Sequence, residues 1–380
     1  MSNDNRTQNI ITGNSMEVLR TLEDGSVDQV ITSPPYYSLR NYNGPSSVWG
    51  GSQDCNHEWS NLGEKTIQPI GMHKDRKNQN YSDGSTSDLD LGTQCKKCGA
   101  WIGQLGLEPT PEQFVDNLCS IFDEVRRVLK PTGTCWIVIG DTYGGTQTKK
   151  SIEHGDRKNP KGRNLMEGNP NKHLKKKCLV QIPSRLSIEM CNRGWILRNK
   201  IIWHKPNAMP EPVKDRFTVD YEEILFFSKS EKYYFKRQLE PLADSTIRVA
   251  KCSFKTDRSN VILDQNVPVD IEKREGRFIH MDGRNMRSVW DISTTRYEGD
   301  HFAVFPEQLV ERIVSAGCPG GGTVLDPFCG SGTTLEVCRK MNCNAIGIEI
   351  NPEYKKQIVK RAMLDIPHIT SYAEVVTNGR

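Results

Sequence analysis

Apolar and polar positions change rhythm along the chain, and the changes mark its elements. Asn9-Ile10-Ile11 before Thr12-Gly13-Asn14 predicts a short strand and a turn. From Ser15 to Leu22, Met16, Leu19 and Leu22 fall on one helical face, with Ser15 as the N-cap. Val27-Asp28-Gln29-Val30-Ile31 is a largely β-branched run and predicts a buried strand. It ends in Thr32-Ser33-Pro34-Pro35-Tyr36-Tyr37. Two adjacent prolines remove two backbone donors and fix φ twice, so a rigid corner follows the strand. Strand, helix, strand is the opening of a parallel α/β sheet.

The helical rhythm returns from Thr110 to Leu129, where Phe114, Leu118, Ile121, Phe122, Val125 and Leu129 form one stripe. Pro111 sits near its first turn, and Lys130-Pro131-Thr132-Gly133 stops it. Buried strands are predicted at 134–141, 195–203, 222–228, 323–325 and 345–350, and helices at 182–192, 305–315, from the Gly330 turn to Met341, and at 353–363. Three stretches break the pattern. Residues 41–106 are rich in Gly, Ser, Asn and Asp; 142–178 are polar and basic; 236–288 are basic and irregular. The resulting division is 1–40, 107–235 and 289–380 for one catalytic domain, interrupted by an insertion at 41–106 and a separate lobe at 236–288.

Composition narrows the class. The chain has 380 residues, enough for one enlarged domain or several modules. It lacks a run of about 18 apolar residues and has a polar start, Met1 to Arg6, so a cytoplasmic protein without a membrane span is expected. A net charge of +4 does not by itself indicate nucleic acid. The twelve cysteines are diluted over a long chain and are expected to be reduced. Cys119, Cys135, Cys191 and Cys338 sit in apolar runs as core fillers. Cys95-x-x-Cys98, followed by Gly99, has the spacing of a zinc knuckle, and Cys55 and His57 can complete a tetrahedral Cys3His site. A redox pair or unrelated thiols are the plainer readings, and His73 is a substitute ligand. The lysines and arginines of 142–178 read either as a solvated loop or as a clamp on a DNA backbone.

Two stretches carry chemistry. The Ser33-Pro34-Pro35-Tyr36 corner puts the Ser33 hydroxyl and the Ser33 and Pro34 carbonyls beside an aromatic ring at a strand's carboxyl end. Those acceptors suit a planar molecule with an exocyclic amino group. Further on, the strand 323–325 leads into Asp326-Pro327-Phe328-Cys329-Gly330-Ser331-Gly332-Thr333-Thr334, then a helix, then a strand ending at Glu349. Gly330 and Gly332 allow close backbone approach to a ligand, and Glu349 is placed to accept from two ribose hydroxyls. The third dinucleotide glycine is missing and no Gly-Lys-Ser/Thr occurs. A nucleoside without pyrophosphate fits, and S-adenosylmethionine is the expected one.

Together the two motifs resemble those of the amino-group DNA methyltransferases, in the catalytic-before-cofactor order of the β subgroup. Gly13-Asn14 stands where that family has Gly-Asp. His301-Phe302-Ala303-Val304-Phe305-Pro306 resembles the segment bordering the methionine end of the ligand. Arg193-Gly194-Trp195, Trp203 to Asn207 and Val289 to Ile292 are also similar to family blocks. The resemblance implies a Rossmann-like S-adenosylmethionine-dependent methyltransferase sheet, with the insertion and a target-recognition lobe attached. It implies catalytic residues Ser33, Pro34, Pro35 and Tyr36, with Tyr36 stacking on a flipped base. It implies cofactor contacts from Asn14, Thr32, His301, Phe302, Asp326, Phe328, Gly330, Gly332, Thr333 and Glu349. Double-stranded DNA is the implied partner, with a companion restriction endonuclease and a dimer left open. Serine at the first motif position goes mostly with cytosine N4 in that family. Adenine N6, RNA methylation and an inactive DNA-binding homologue are the alternatives. The lobe contains Arg248, Lys251, Lys255, Arg258, Lys273, Arg274, Arg277, Arg284 and Arg287. Arginine reads guanine and lysine mostly finds phosphate; no individual residue is assigned, and most are expected to be solvated or phosphate-facing.

Overall fold

The computed structural model describes residues 7–39, 45–52, 54–62, 64–67, 87–90, 92–144, 174–175, 177–244, 283–294 and 305–362. Its first segment gives β1 (Gln8–Thr12), α1 (Ser15–Thr21) and β2 (Val27–Thr32). The insertion contributes short strands: β3 (Ser47–Trp49), β4 (Trp59–Asn61), β5 (Glu64–Ile67), β6 (Ser87–Asp90), β7 (Thr93–Cys95) and β8 (Trp101–Gly103). Then come α2 (Pro111–Val128), β9 (Leu129–Ile139), α3 (Ile182–Asn192), β10 (Ile196–His204), β11 (Tyr221–Ser228), β12 (Leu239–Glu240), β13 (Arg284–Asn285) and β14 (Val289–Asp291). The last part holds α4 (Glu307–Gly317), β15 (Thr323–Asp326), α5 (Thr333–Lys340), β16 (Asn344–Glu349) and α6 (Tyr354–Ala362).

Eight strands form the main sheet in the order β1-β16-β15-β2-β9-β11-β10-β14. All neighbours are parallel except those flanking β11, which runs against β9 and β10. Adjacent residues of one strand face opposite layers. Val30, Cys135 and Ile137 join α1, α2 and α3, whereas Ile31, Trp136 and Val138 join α4, α5 and α6. Strands buried on both faces explain why the sequence shows continuous apolar runs rather than alternation. Polar Gln29 is fully buried, and its Nε2 donates to the Ile313 carbonyl, 2.8 Å away. Asp28 pairs with Lys130 at 2.8 Å and accepts from the Thr323 N–H at 2.9 Å, tying β2 to its neighbours.

From β15 the chain steps outward through α5 to β16. From β2 it steps the other way through α2 to β9. A crevice therefore opens at the carboxyl ends of β15 and β2, where ligands bind in such sheets.

Several expectations are corrected. Asn14, not Ser15, caps α1: its Oδ1 accepts from the Met16 N–H at 2.9 Å, and the Ser15 hydroxyl donates to the Pro327 carbonyl at 2.6 Å. Cys119, Cys135 and Cys338 are buried, but Cys191 is exposed. It lies one position past the buried stripe Ile182, Pro183, Leu186, Ser187 and Met190 of α3. Strand β9 starts at Leu129, and the expected break survives as a register shift: Val27 pairs with Leu129 but Gln29 with Thr134. The insertion, which lacks periodicity, still forms a four-stranded sheet β3-β8-β7-β4. Its three-residue strands are too short to show alternation. Among the described residues, no helix is long and apolar enough to cross a membrane.

Candidate active site

The carboxyl ends of β2 and β15 are neighbours, so the two motifs meet. The Thr32 hydroxyl donates to Asp326 Oδ1 at 2.7 Å. The Thr334 hydroxyl donates to Asp326 Oδ2 at 2.6 Å, and the Phe328 N–H donates to Oδ1 at 3.1 Å. Asp326 is 1% exposed, and burial raises its carboxyl to about pKa 6 despite those donors. Thr334, which the sequence did not single out, therefore braces Asp326, whereas Thr333, expected as a cofactor contact, is buried at the first position of α5. A hydroxyl eight residues after an aspartate was the signal available.

The glycine turn is shaped by its own backbone. Gly332 has φ +81°, and a Cβ there would come within 2.8 Å of Ile358 Cγ2. The constraint is therefore the left-handed conformation and α6, in addition to any ligand. Glu349, at the end of β16, accepts from the Gly330 and Asn351 N–H groups, each at 2.9 Å. A carboxylate offers about four acceptor positions, so capacity for two hydroxyls remains. Burial raises Glu349 to about pKa 7. Asn14 lies at the same edge, but its oxygen serves α1 and its Nδ2 donates to Ser47 Oγ at 2.7 Å. Its expected cofactor contact, if made by that oxygen, must share it with the Met16 N–H. His301 and Phe302 lie outside the described residues.

On the catalytic side, the Ser33 hydroxyl lies 3.4 Å from Tyr36 Oη and the Tyr36 hydroxyl donates to Glu222 Oε2 at 2.7 Å. Glu222 is the second residue of β11, which enters the sheet from this edge, and also pairs with Lys205 beyond β10. Lys205 Nζ sits 4.6 Å over the Trp203 ring. The Tyr36 ring lies against Gly140, where a Cβ would approach its Cε2 to 2.7 Å. Because Tyr36 spends its proton on Glu222, its oxygen can accept from Ser33. The Ser33 oxygen then keeps its capacity as an acceptor. Glu222 and Lys205 were missed because sequence order places Glu222 186 residues, and Lys205 nearly as many, beyond Tyr36.

Glu108, buried behind the corner, accepts from the Gly106 N–H at 2.8 Å and from Asn117 Nδ2 at 3.1 Å. Burial pushes its carboxyl up to about pKa 7. The folded protein holds this proton to higher pH than the unfolded chain does. The contribution to stability is therefore full below pH 4.5 and is lost as pH rises towards 7, by about 3 kcal/mol. Asp326 and Glu349 act in the same sense. Urea unfolding at pH 5 and pH 8 should show this loss, and Glu108→Gln should reduce it; an unchanged pH slope in the variant would refute the assignment.

The basic stretches are placed only at their ends. Tyr143 bridges Leu179 and Gly144 bonds Cys178, so residues 142–144 and 177–180 form a paired neck. Lys177 pairs with Asp215 there. Arg284 and Arg287, two of the basic residues of the expected recognition lobe, both pair with Glu240 at 2.8 and 2.7 Å. They brace the β12–β13 base of the lobe; Arg248, Arg258 and Arg277 lie outside the described residues.

Comparison with known proteins agrees with this geometry. The N6/N4 methyltransferase family, described as DNA methylase, matches residues 27–360. The chain belongs to that family. Its members are S-adenosylmethionine-dependent DNA methyltransferases. The type II methyltransferase M.Cfr9I of Citrobacter freundii is 33% identical over 349 residues, covering 92% of this chain and 85% of its own length. The type II methyltransferase M.SmaI of Serratia marcescens is 33% identical over 364 residues, covering 94% and 92%. Among solved structures, the PvuII DNA methyltransferase (cytosine-N4-specific) shares the fold, with TM-score 0.52 and 18% identity over 96% of this chain and 89% of that one.

Proposed function

We propose that this N6/N4 DNA methylase modifies the exocyclic N4 of cytosine in duplex DNA, after the base is turned out of the stack. The carrying observation is the Thr32–Asp326 hydrogen bond, which joins the catalytic corner to the glycine turn at one crevice. The donor set fits S-adenosylmethionine: Glu349 retains acceptor capacity for ribose hydroxyls beside a glycine turn without phosphate-binding features. When bound there, it supplies an electrophilic sulfonium methyl.

The chain's own residues prepare the amino group. A target base cannot reach a methyl donor from within the duplex, so extrusion is required. Tyr36 offers its ring face to the flipped base. The Ser33 oxygen and the Pro34 carbonyl accept from the two amino hydrogens. That draws the nitrogen towards tetrahedral geometry and frees its delocalised lone pair for in-line attack. No dedicated general base is assigned. The choice of cytosine rests on Ser33, since the family pattern pairs serine with N4; both bases present the same amino geometry. The lobe at 236–288 is assigned to target recognition and the basic loop to the DNA backbone. Incubation with DNA and labelled donor, followed by nucleoside mass spectrometry, should give N4-methylcytosine. N6-methyladenine alone would overturn the base choice, and no methylated nucleoside would overturn the catalytic assignment.

Glu222 is a positioning residue in this scheme. Glu222→Ala and Tyr36→Phe should each lower kcat about tenfold, the effect of losing roughly 1.4 kcal/mol of orientation. Donor affinity should not change. Because both break one chain of hydrogen bonds, the double variant should be no slower than either single one; additive losses would separate Glu222 from Tyr36.

A further inference from the structure

Outside the crevice, the described residues bring four soft ligands to one point. Cys55, His57, Cys95 and Cys98 have ligand atoms all within 4.8 Å of one another. Cys55 Sγ and Cys95 Sγ are 3.9 Å apart, and Cys98 Sγ is 3.3 Å from His57 Nδ1. Ligands about 2.3 Å (sulfur) and 2.0 Å (nitrogen) from zinc span tetrahedron edges of roughly 3.4–3.8 Å. A disulfide instead needs sulfurs about 2.05 Å apart. The Glu58 and Lys97 N–H groups each donate to Cys95 Sγ at 3.4 Å, as suits a thiolate held in place. Gly99, at φ +75°, lets the chain turn back so that the Cys95 N–H reaches the Ala100 carbonyl at 2.7 Å.

The insertion is also fastened to both halves of the crevice. The Ser38 N–H, just past the catalytic corner, donates to the Gly106 carbonyl at 2.7 Å. Gly106 packs so closely that a Cβ would lie 3.1 Å from the Tyr36 carbonyl oxygen and 3.2 Å from Pro35 Cβ. On the cofactor side, Ser47 accepts from Asn14. Trp49 and Trp101 connect these ends, both buried in the core cluster that holds Tyr37 and Phe114. Yet strands of three residues cannot supply much core of their own.

We infer that Cys55, His57, Cys95 and Cys98 bind one Zn2+, which folds the insertion and through Gly106 holds the Ser33–Tyr36 corner in place. All four positions are filled by protein, so the ion is structural and takes no part in methyl transfer. Only the link to the corner rests on the proposed function; metal binding does not.

The test uses the full chain purified without added metal or chelator. Elemental analysis should find about one zinc per chain. Cys98→Ser should lose it, and His57→Cys, which keeps a four-ligand set, should retain it. Added Co2+ alone should give the visible d–d absorption of a tetrahedral thiolate site after zinc is stripped. Absence of both zinc and that spectrum, or full zinc retention in Cys98→Ser, would overturn the site. For the link, stripping zinc should speed amide exchange in the peptide containing Ser38 and red-shift tryptophan fluorescence. Unchanged exchange at Ser38 would refute the coupling while leaving the metal site standing. Failure of methylation with zinc in place would count against the proposed function alone.

Discussion

Tyr36→Ala should reduce methyl transfer at least a hundredfold while S-adenosylmethionine binds within about twofold of the parent. Removing an aromatic platform from a flipped base costs about 1–3 kcal/mol in stacking alone. In this protein the same change also strips the partner of Ser33. With the Tyr36 hydroxyl gone, the Ser33 proton loses the acceptor that holds it, and Glu222 loses its link to the corner. Orientation of the attacking nitrogen is then lost together with its stacking. The cofactor side does not depend on Tyr36: Asp326, Glu349 and Gly332 are held by Thr32, Thr334, backbone N–H groups and α6. Ser33→Ala should show the same split, with less loss, because the Pro34 carbonyl survives. Single-turnover kinetics beside calorimetric donor binding will separate the two terms. Activity within threefold of the parent in both variants would remove Ser33-Pro34-Pro35-Tyr36 from the chemistry.

The order of the two motifs and the strand ends that carry them were legible because each is local. A proline pair after an apolar run, or a glycine turn between a strand and a helix, is written within ten residues. The contacts that make them one site are not local. Thr32 and Asp326 are 294 positions apart, and Tyr36 and Glu222 are 186 apart. Only sheet order brings them together, and β11 approaches the crevice because it runs against its neighbours. Asn14 shows the converse limit: its place at the crevice was readable, but its duty as the cap of α1 depends on backbone geometry. Composition could not say what Arg284 and Arg287 do in the basic lobe, and a glutamate on the paired strand claims both. The Cys-x-x-Cys pair was visible, while the closing of Cys55 and His57 onto it needed β4 and β7 to pair at Trp59 and Cys95.

The link between the motifs makes a second strong prediction, at Asp326. Asp326→Ala leaves two hydroxyls and one N–H without their buried acceptor. Each unsatisfied group costs about 1–3 kcal/mol, so a loss of roughly 3 kcal/mol or more in stability is expected, together with donor binding. Asp326→Asn should behave differently. Its amide oxygen can keep the Thr32 and Phe328 donors, and the Thr334 hydroxyl can turn to accept from the new NH2 group. The asparagine also carries no charge to bury. The parent must ionise this aspartate in a desolvated position, so its contribution to stability is lost as pH rises from its ordinary value of 3.8 to about 6. Asparagine should therefore lie within about 1 kcal/mol of the parent at pH 8 and show a shallower decline between about pH 4 and 6. If alanine and asparagine prove equally damaging, the negative charge, not the acceptor geometry, is what holds the catalytic corner to the cofactor turn. If alanine is as stable as the parent and binds the donor as well, the Thr32–Asp326 contact does not organise the site.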